Sequence, residues 1–161
     1  MERFLEFDHS VLAVNDLILA ERFYSEVLGE ILGEGYIEDR AMLTTDEVLR
    51  GKALRERMEQ RQGSGYVMAP HSTVKVGIAV LPLFLHQDHA QEPPPEQMKG
   101  TPRLAFTVTP EQIEKAMEVL RRRKVAFEGP VEHAPPCPTA RSLYFKDPSS
   151  NFLELSCPRE G

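Results

Sequence analysis

The sequence predicts an α+β fold of two βαβββ modules whose curled mixed sheets surround a shared cavity. One observation is that each half of the 161-residue chain reads as a strand, a helix and three further strands. Another is an internal repeat, in which His9–Val14 resembles Arg103–Val108 and Leu83–Leu85 resembles Leu153–Leu155. Two modules that each carry a half-covered sheet are expected to bury their apolar surfaces side by side.

The first strand and the first helix are predicted from a change in hydrophobic period. Apolar and polar residues alternate over Leu5–Val14, which is typical of a strand and places His9 on its more apolar face. Asn15 and Asp16 offer oxygens that can cap a helix, and apolar residues then recur every three or four positions until Gly29. The pattern predicts an amphipathic helix that ends at this glycine.

The rest of the first half is predicted to contain three strands and one insertion. Glu30–Asp39 is a strand-like run broken by glycines, and Val74–His86 gives two short strands around Pro82. Thr44–Gly65 is rich in charged residues and sparse in apolar ones, which indicates an inserted helix that either lies on the surface or covers the mouth of the cavity.

A linker separates the two modules. Prolines and glycine occupy five of the eleven positions at 92–102, so regular helix or central strand is excluded there. We therefore divide one domain, residues 1–161, into module one at about 4–91 and module two at about 103–158.

The second module repeats the order of the first. A strand over Arg103–Val108 is followed by a helix that begins at Thr109 or Pro110, and a further strand begins at Val125. A hairpin then joins Leu143–Phe145 to Phe152–Leu155. At its turn, Asp147 is expected to cap the loop and Asn151 to adopt a positive φ.

Composition excludes several classes of protein. A net charge of −6 argues against nucleic acid, and no apolar run approaches the ~20 residues that span a bilayer. Acidic residues interrupt any signal peptide, and Cys137 and Cys157 form neither a metal nor a redox motif. A reduced, cytoplasmic protein is expected.

Three passages resemble the vicinal oxygen chelate superfamily, which includes glyoxalase I, extradiol dioxygenases, fosfomycin-resistance proteins and bleomycin-binding proteins. They are Asp8–Val14 with the helix that ends Phe23–Gly29, Leu104–Val108, and Tyr144–Leu155. The resemblance implies a metal held by the first and closing strands of each module, at His9, Phe84, Arg103 and Glu154. Of these four residues, His9 and Glu154 carry ligating side chains.

The chemistry of these residue types supports a divalent metal ion as cofactor. Imidazole and carboxylate suit Fe(II), Mn(II), Ni(II) or Zn(II), with vacant positions left for a substrate. His86 lies two residues beyond Phe84 on the same strand face, so it is a candidate third ligand beside His9 and Glu154. Glu154 is also the candidate catalytic residue.

Arg103 supports a different hypothesis, because a guanidinium cannot ligate a metal and repels one nearby. It could bind a substrate carboxylate or phosphate, or form an ion pair with Glu154. A metal-free binding protein, with no cofactor, would then hold its ligand through Arg103, Phe84 and Tyr144.

Two functions therefore stay open at this point. The retained pair of His9 and Glu154 favours a metal-dependent lyase, isomerase or ring-cleaving dioxygenase that acts on a small oxygenated metabolite. The alternative is a metal-free binding protein similar to the drug-binding members of the superfamily. A small molecule is the expected partner in both, and a homodimer is expected. Three histidines in loop-like contexts are expected on the solvated surface: His71, His89 and His133.

Overall fold

The computed structural model describes residues 9–41, 71–86 and 102–159. These form two four-stranded mixed sheets, ordered β1-β4-β3-β2 and β5-β8-β7-β6, which confirms the predicted α+β fold of two modules. The predicted helix at 44–65 and most of the linker lie outside the described residues. The strands are β1 Leu12–Val14, β2 Gly35–Ala41, β3 His71–Val76, β4 Ala79–Leu85, β5 Arg103–Thr107, β6 Phe127–Glu132, β7 Thr139–Lys146 and β8 Phe152–Pro158.

The helix of module one extends past its predicted end. It runs as α1 Leu17–Arg22, a π-helical segment Phe23–Leu28 and α2 Gly29–Leu32, so Glu30 begins no strand. Gly29 has an ordinary helical φ of −61°, and a Cβ there would lie 2.7 Å from the Cα of Gly35. Glycine is therefore needed at this position for close packing against β2, and Gly33 (φ 117°) ends the helix instead.

The sequence predicted two short strands on either side of Pro82, but this proline does not separate two strands. It lies inside β4 opposite Thr73, and the turn between β3 and β4 is at Gly77 and Ile78. The ring of proline fixes φ at a value that extended backbone accommodates, so the chain loses an N–H donor there but keeps its strand.

The predicted helix and hairpin of module two are confirmed. The helix α3, Pro110–Arg122, begins with a capping box in which Thr109 and Gln112 exchange hydrogen bonds. β7 and β8 pair antiparallel on either side of the Asp147–Asn151 turn. In the described ranges, no helix is long and apolar enough to span a membrane.

Alternation divides the sheet of module two into two faces. Four fully or almost fully buried side chains lie on one face, which belongs to the hydrophobic core: Leu143, Phe145, Leu153 and Leu155. The residues between them point the other way, because successive strand residues face opposite sides. That second face carries Ser142, Tyr144 and Glu154.

The turn of module two is fastened to module one by buried hydrogen bonds. Tyr24 Oη donates to Asp147 Oδ2 at 2.8 Å, and the backbone N–H groups of Ser149 and Asn151 both donate to Oδ1 at 2.8 Å. Asn151 Nδ2 donates to Asp147 Oδ2 and to the carbonyl of Ala13, each at 2.8 Å. Burial, together with the Asp147 carboxylate, raises the pKa of Tyr24 well above its usual value. The turn therefore joins the modules as well as the two strands.

Charged side chains also join the helices of the two modules. Arg122 and Arg123 at the end of α3 form ion pairs with Glu30 on α2. The hydrogen bond from Arg122 lowers the pKa of the Glu30 carboxyl. These groups are solvent-exposed, so the buried turn has the larger role in holding the modules together.

Ser150, and not Asn151 as predicted, adopts the left-handed conformation of the turn, with φ at 66°. We expect Ser150→Gly to raise the free energy of unfolding by about 0.5 to 1 kcal/mol, because glycine removes the Cβ strain while adding some unfolded-state entropy. Urea unfolding measures this difference. Ala126→Gly, at an exposed position without a positive φ, is the control and should lower stability instead.

Candidate functional site

Glu154 is at the centre of a row of side chains that crosses the second face of the module-two sheet. Strand pairing aligns it with Ala105 on β5 and with Tyr144 on β7. Its side chain is 11% exposed, so its charge needs a partner within the protein. The row is flanked by Arg103, which lies two residues before Ala105 and therefore on the same face.

Both oxygens of the Glu154 carboxylate accept hydrogen bonds. Arg103 Nε–H donates to Oε2 at 2.5 Å, and Ser142 Oγ–H donates to Oε1 at 2.7 Å. The Arg103 guanidinium also lies over the ring of Tyr144, with Cζ 5.4 Å from the ring centroid. The ion pair that the sequence left as one alternative for Arg103 is therefore present, and Tyr144 packs against it.

Module one carries an aromatic pair at the matching row. Ala13 on β1 aligns with Phe84 on β4, and Phe84 aligns with His71 on β3. The rings of His71 and Phe84 stack with centroids 4.7 Å apart and an interplanar angle of 7°. His71 is thus a half-buried member of the row and not a solvated loop residue. Its place in a strand was missed because the alternation was read only from Val74 onward.

The pairing of the first and closing strands differs by two residues from the register that the sequence repeat implies. In the internal repeat, His9 corresponds to Arg103 and Phe84 corresponds to Glu154. Strand pairing instead aligns Ala13 with Phe84 in module one and Ala105 with Glu154 in module two. The residue two before Ala13 is Val11, and His9 lies a further two residues away. When Phe84 is matched to Glu154, the residue that matches Arg103 is therefore Val11 and not His9.

The same register separates His9 from His86. The strands β1 and β4 are parallel, with His9 four residues before Ala13 and His86 two residues after its partner Phe84. The hydrogen bond from Ser10 N–H to the Val80 carbonyl continues this pairing toward His9. At about 3.3 Å per residue, the two histidines lie about 20 Å apart along the strands, too far to ligate one ion within one chain. Within one chain, this register does not support His86 as a third ligand beside His9, and that assignment stays a prediction.

The residues at Glu154 do not fit a divalent metal ion. A metal would have to compete with two hydrogen bonds to the carboxylate, one of them from a permanent cation that repels it. Within the described ranges, which include all three candidate ligands, no group of three His, Cys, Asp or Glu side chains could hold an ion. The arrangement is that of a neutral ion pair that can meet an anionic or polar ligand.

A cavity of about 310 Å³ lies beside the ion pair, at the seam between the modules. It is lined by residues 10–13 of module one, by residues 102–104 at the start of β5, and by residues 151–152 at the start of β8. Among the described residues that line it, Arg103 carries a charge, and its side chain is 28% exposed. Val11 and Phe152 contribute apolar surface. The arrangement suits a small molecule with one charged group and an apolar body.

Two polar residues of this site were missed by the sequence analysis. Ser142 is fully buried on β7 and bonds directly to Glu154. His133 follows β6, and its Nε2 lies 2.9 Å from Ser142 Oγ. Neither carries a local motif, so only the pairing of β6, β7 and β8 reveals them. His89, the third histidine expected at the surface, lies outside the described residues.

Comparisons with known proteins agree with this architecture. A family model described as the Glyoxalase/Bleomycin resistance protein/Dioxygenase superfamily matches residues 6–155. No curated protein sequence matches the chain. The structural similarities below are at low sequence identity, so they describe the fold alone.

Two solved structures illustrate the likeness. A mutant of the fosfomycin resistance protein FosX from Listeria monocytogenes, complexed with Mn(II) and 1S,2S-dihydroxypropylphosphonic acid, is 16% identical with a TM-score of 0.64, over 98% of this chain and 95% of that one. A glyoxylase/bleomycin resistance protein/dioxygenase domain from Frankia sp. EAN1pec is 20% identical with a TM-score of 0.66, over 99% and 96%.

Proposed function

This chain belongs to the Glyoxalase/Bleomycin resistance protein/Dioxygenase superfamily, and we propose that it binds a small oxygenated metabolite through an anionic group at Arg103, without a metal ion. The ligand occupies the cavity at the seam between the modules. This is the binding-protein alternative of the sequence analysis. The homodimer expected from the sequence stays a prediction.

The observation that carries the proposal is the Arg103–Glu154 ion pair. It neutralises the carboxylate that would otherwise attract a metal, and Arg103 is itself a residue of the cavity wall. A guanidinium is a permanent cation with five N–H donors. Its planar fork matches carboxylates and phosphonates in two-point contacts. The ligand therefore joins or partly replaces Glu154 at Arg103.

The rest of the cavity selects the body of the ligand. Val11 and Phe152 give it an apolar wall, and Asn151 adds a side-chain amide. Tyr144 packs against the guanidinium, and Phe84 on β4 of module one is a further candidate contact. Benzoate, a carboxylate on a flat apolar ring, is a suitable probe, and benzamide is its neutral counterpart of the same shape.

The relatives make the metal hypothesis worth testing directly. The FosX structure contains Mn(II), and a metal centre with His9 and Glu154 among its ligands is the competing prediction. The residues found at Glu154 do not favour it, because Arg103 occupies the carboxylate.

We expect the unfolding midpoint of the metal-stripped wild type not to rise when Mn(II), Fe(II), Ni(II) or Zn(II) is added in excess. Arg103→His should introduce metal-dependent stabilisation, because it exchanges a repelling cation for a ligand beside Glu154. For a bound ion that stabilisation is about 2.7 kcal/mol at one hundred times the dissociation constant. Thermal unfolding against free metal concentration measures it, with Arg103→Gln as the matched variant that adds no imidazole. A wild-type midpoint that rises with metal, and that His9→Ala abolishes, would support the metal enzyme instead.

A further inference from the structure

A chain of hydrogen bonds approaches the ion pair from the side opposite to Arg103. It runs from His133 through Ser142 to Glu154 and joins three neighbouring strands or their ends. We propose that Ser142 and His133 are positioning residues that fix Glu154 so that Arg103 stays directed at the ligand. The inference rests on the proposed function of Arg103.

The hydrogen bonds from His133 through Ser142 to Glu154 run in one direction, which follows from the number of protons that these groups carry. The Ser142 hydroxyl carries a single proton and donates it to Glu154 Oε1 at 2.7 Å, because a carboxylate only accepts. Ser142 Oγ must therefore accept from its other neighbour, His133 Nε2, at 2.9 Å. A neutral His133 is then the tautomer with its proton on Nε2.

The backbone holds His133 in place for this contact. Its N–H donates to the carbonyl of Ala140 at 2.8 Å, which extends the pairing of β6 with β7. Its carbonyl accepts a hydrogen bond from the Arg159 guanidinium. The imidazole ring is consequently presented to Ser142 from a fixed main chain, while Ser142 itself is fully buried.

The effect on Arg103 follows from how arginine and carboxylate prefer to pair. Left to themselves, they form two parallel hydrogen bonds that use both carboxylate oxygens. Ser142 takes Oε1, so the observed bond joins Arg103 Nε to Oε2. If Ser142 lost its hydroxyl, Glu154 could turn both oxygens toward the guanidinium and compete more strongly with an anionic ligand.

The direction of the chain is tested by the tautomer of His133. In long-range ¹H–¹⁵N spectra, recorded at a pH where the ring is neutral, the wild type should show the proton on Nε2. Ser142→Ala should convert this signal to a mixture of the two tautomers. A wild-type ring protonated on Nδ1, or a spectrum that Ser142→Ala leaves unchanged, would contradict the proposed series of hydrogen bonds from His133 to Glu154.

The positioning role is tested by the affinity for benzoate. Ser142→Ala should weaken binding about tenfold and His133→Leu about fivefold, because Glu154 can then make a second hydrogen bond to Arg103 that the ligand has to displace. His133→Gln keeps an N–H donor and should restore most of the affinity. Binding of neutral benzamide should not change. Thr139→Val, which removes the hydroxyl that bonds to Ser156 on the same two strands, is the matched control.

The two proposals fail in different ways. If the wild type binds no benzoate, the proposed function fails, and the hydrogen-bond chain is then decided by the tautomer alone. If the wild type binds benzoate and both His133 variants bind it equally well, the positioning role is wrong while the role of Arg103 stands.

Discussion

Replacing Asp147 with alanine is expected to lower the free energy of unfolding by about 4 kcal/mol, because several buried hydrogen-bond donors lose their acceptor at once. Asp147 is 5% exposed and accepts from Tyr24, from two backbone N–H groups and from the amide of Asn151. Alanine offers none of these groups an acceptor and admits little water to replace it. Chemical denaturation, followed by circular dichroism, measures the loss.

Two milder variants separate the contributions to this turn. Asp147→Asn keeps one oxygen for the backbone N–H groups but places its NH₂ group against the NH₂ group of Asn151. It should therefore lower the free energy of unfolding by about 2 kcal/mol. Tyr24→Phe removes one hydrogen bond and should cost about 1 kcal/mol. If all three variants unfold within about 0.5 kcal/mol of the wild type, where surface substitutions usually lie, the turn does not hold the modules together.

Replacing Arg103 with glutamine is expected to weaken benzoate binding about thirtyfold, or about 2 kcal/mol, since a hydrogen bond to a charged group is lost. The substitution removes the guanidinium charge and its planar fork while leaving a polar side chain of moderate length at the cavity wall. Isothermal titration calorimetry compares the two proteins. Benzamide should bind both with similar affinity, because it carries no charge for Arg103 to meet.

A second variant tests whether Glu154 competes with the ligand. Glu154→Gln removes the negative charge that Arg103 contacts at present. It should tighten benzoate binding severalfold, the opposite sign to Arg103→Gln. Equal benzoate affinities in the wild type and in Arg103→Gln would show that the ligand binds elsewhere.

The faces of the strands could be predicted from the sequence because alternation has a period of two wherever one face is buried. Together with the family resemblance, that pattern indicates that Arg103 and Glu154 share a face of the second module. The helix start at Pro110 was equally readable, since Thr109 and Gln112 form a local capping signal. The alternation and the capping signal depend on residues that are close along the chain.

The remaining features depend on pairing between distant segments. The register of β1 against β4 could not be predicted, because similarity between the repeats does not fix how these two strands pair. Gly29 resembled a helix end, yet its role is to admit the backbone of Gly35. His133 was expected at the surface, because nothing near it in the sequence indicates that Ser142 will lie beside it.

Calorimetric titration of the metal-stripped wild-type protein with benzoate is the most direct test of a metal-independent anion site at Arg103. We expect saturable binding with no metal present, unchanged when Mn(II) is added. Binding of benzoate only after Mn(II) was supplied would contradict this site, because the cation that holds the ligand would then be the metal and not the guanidinium of Arg103.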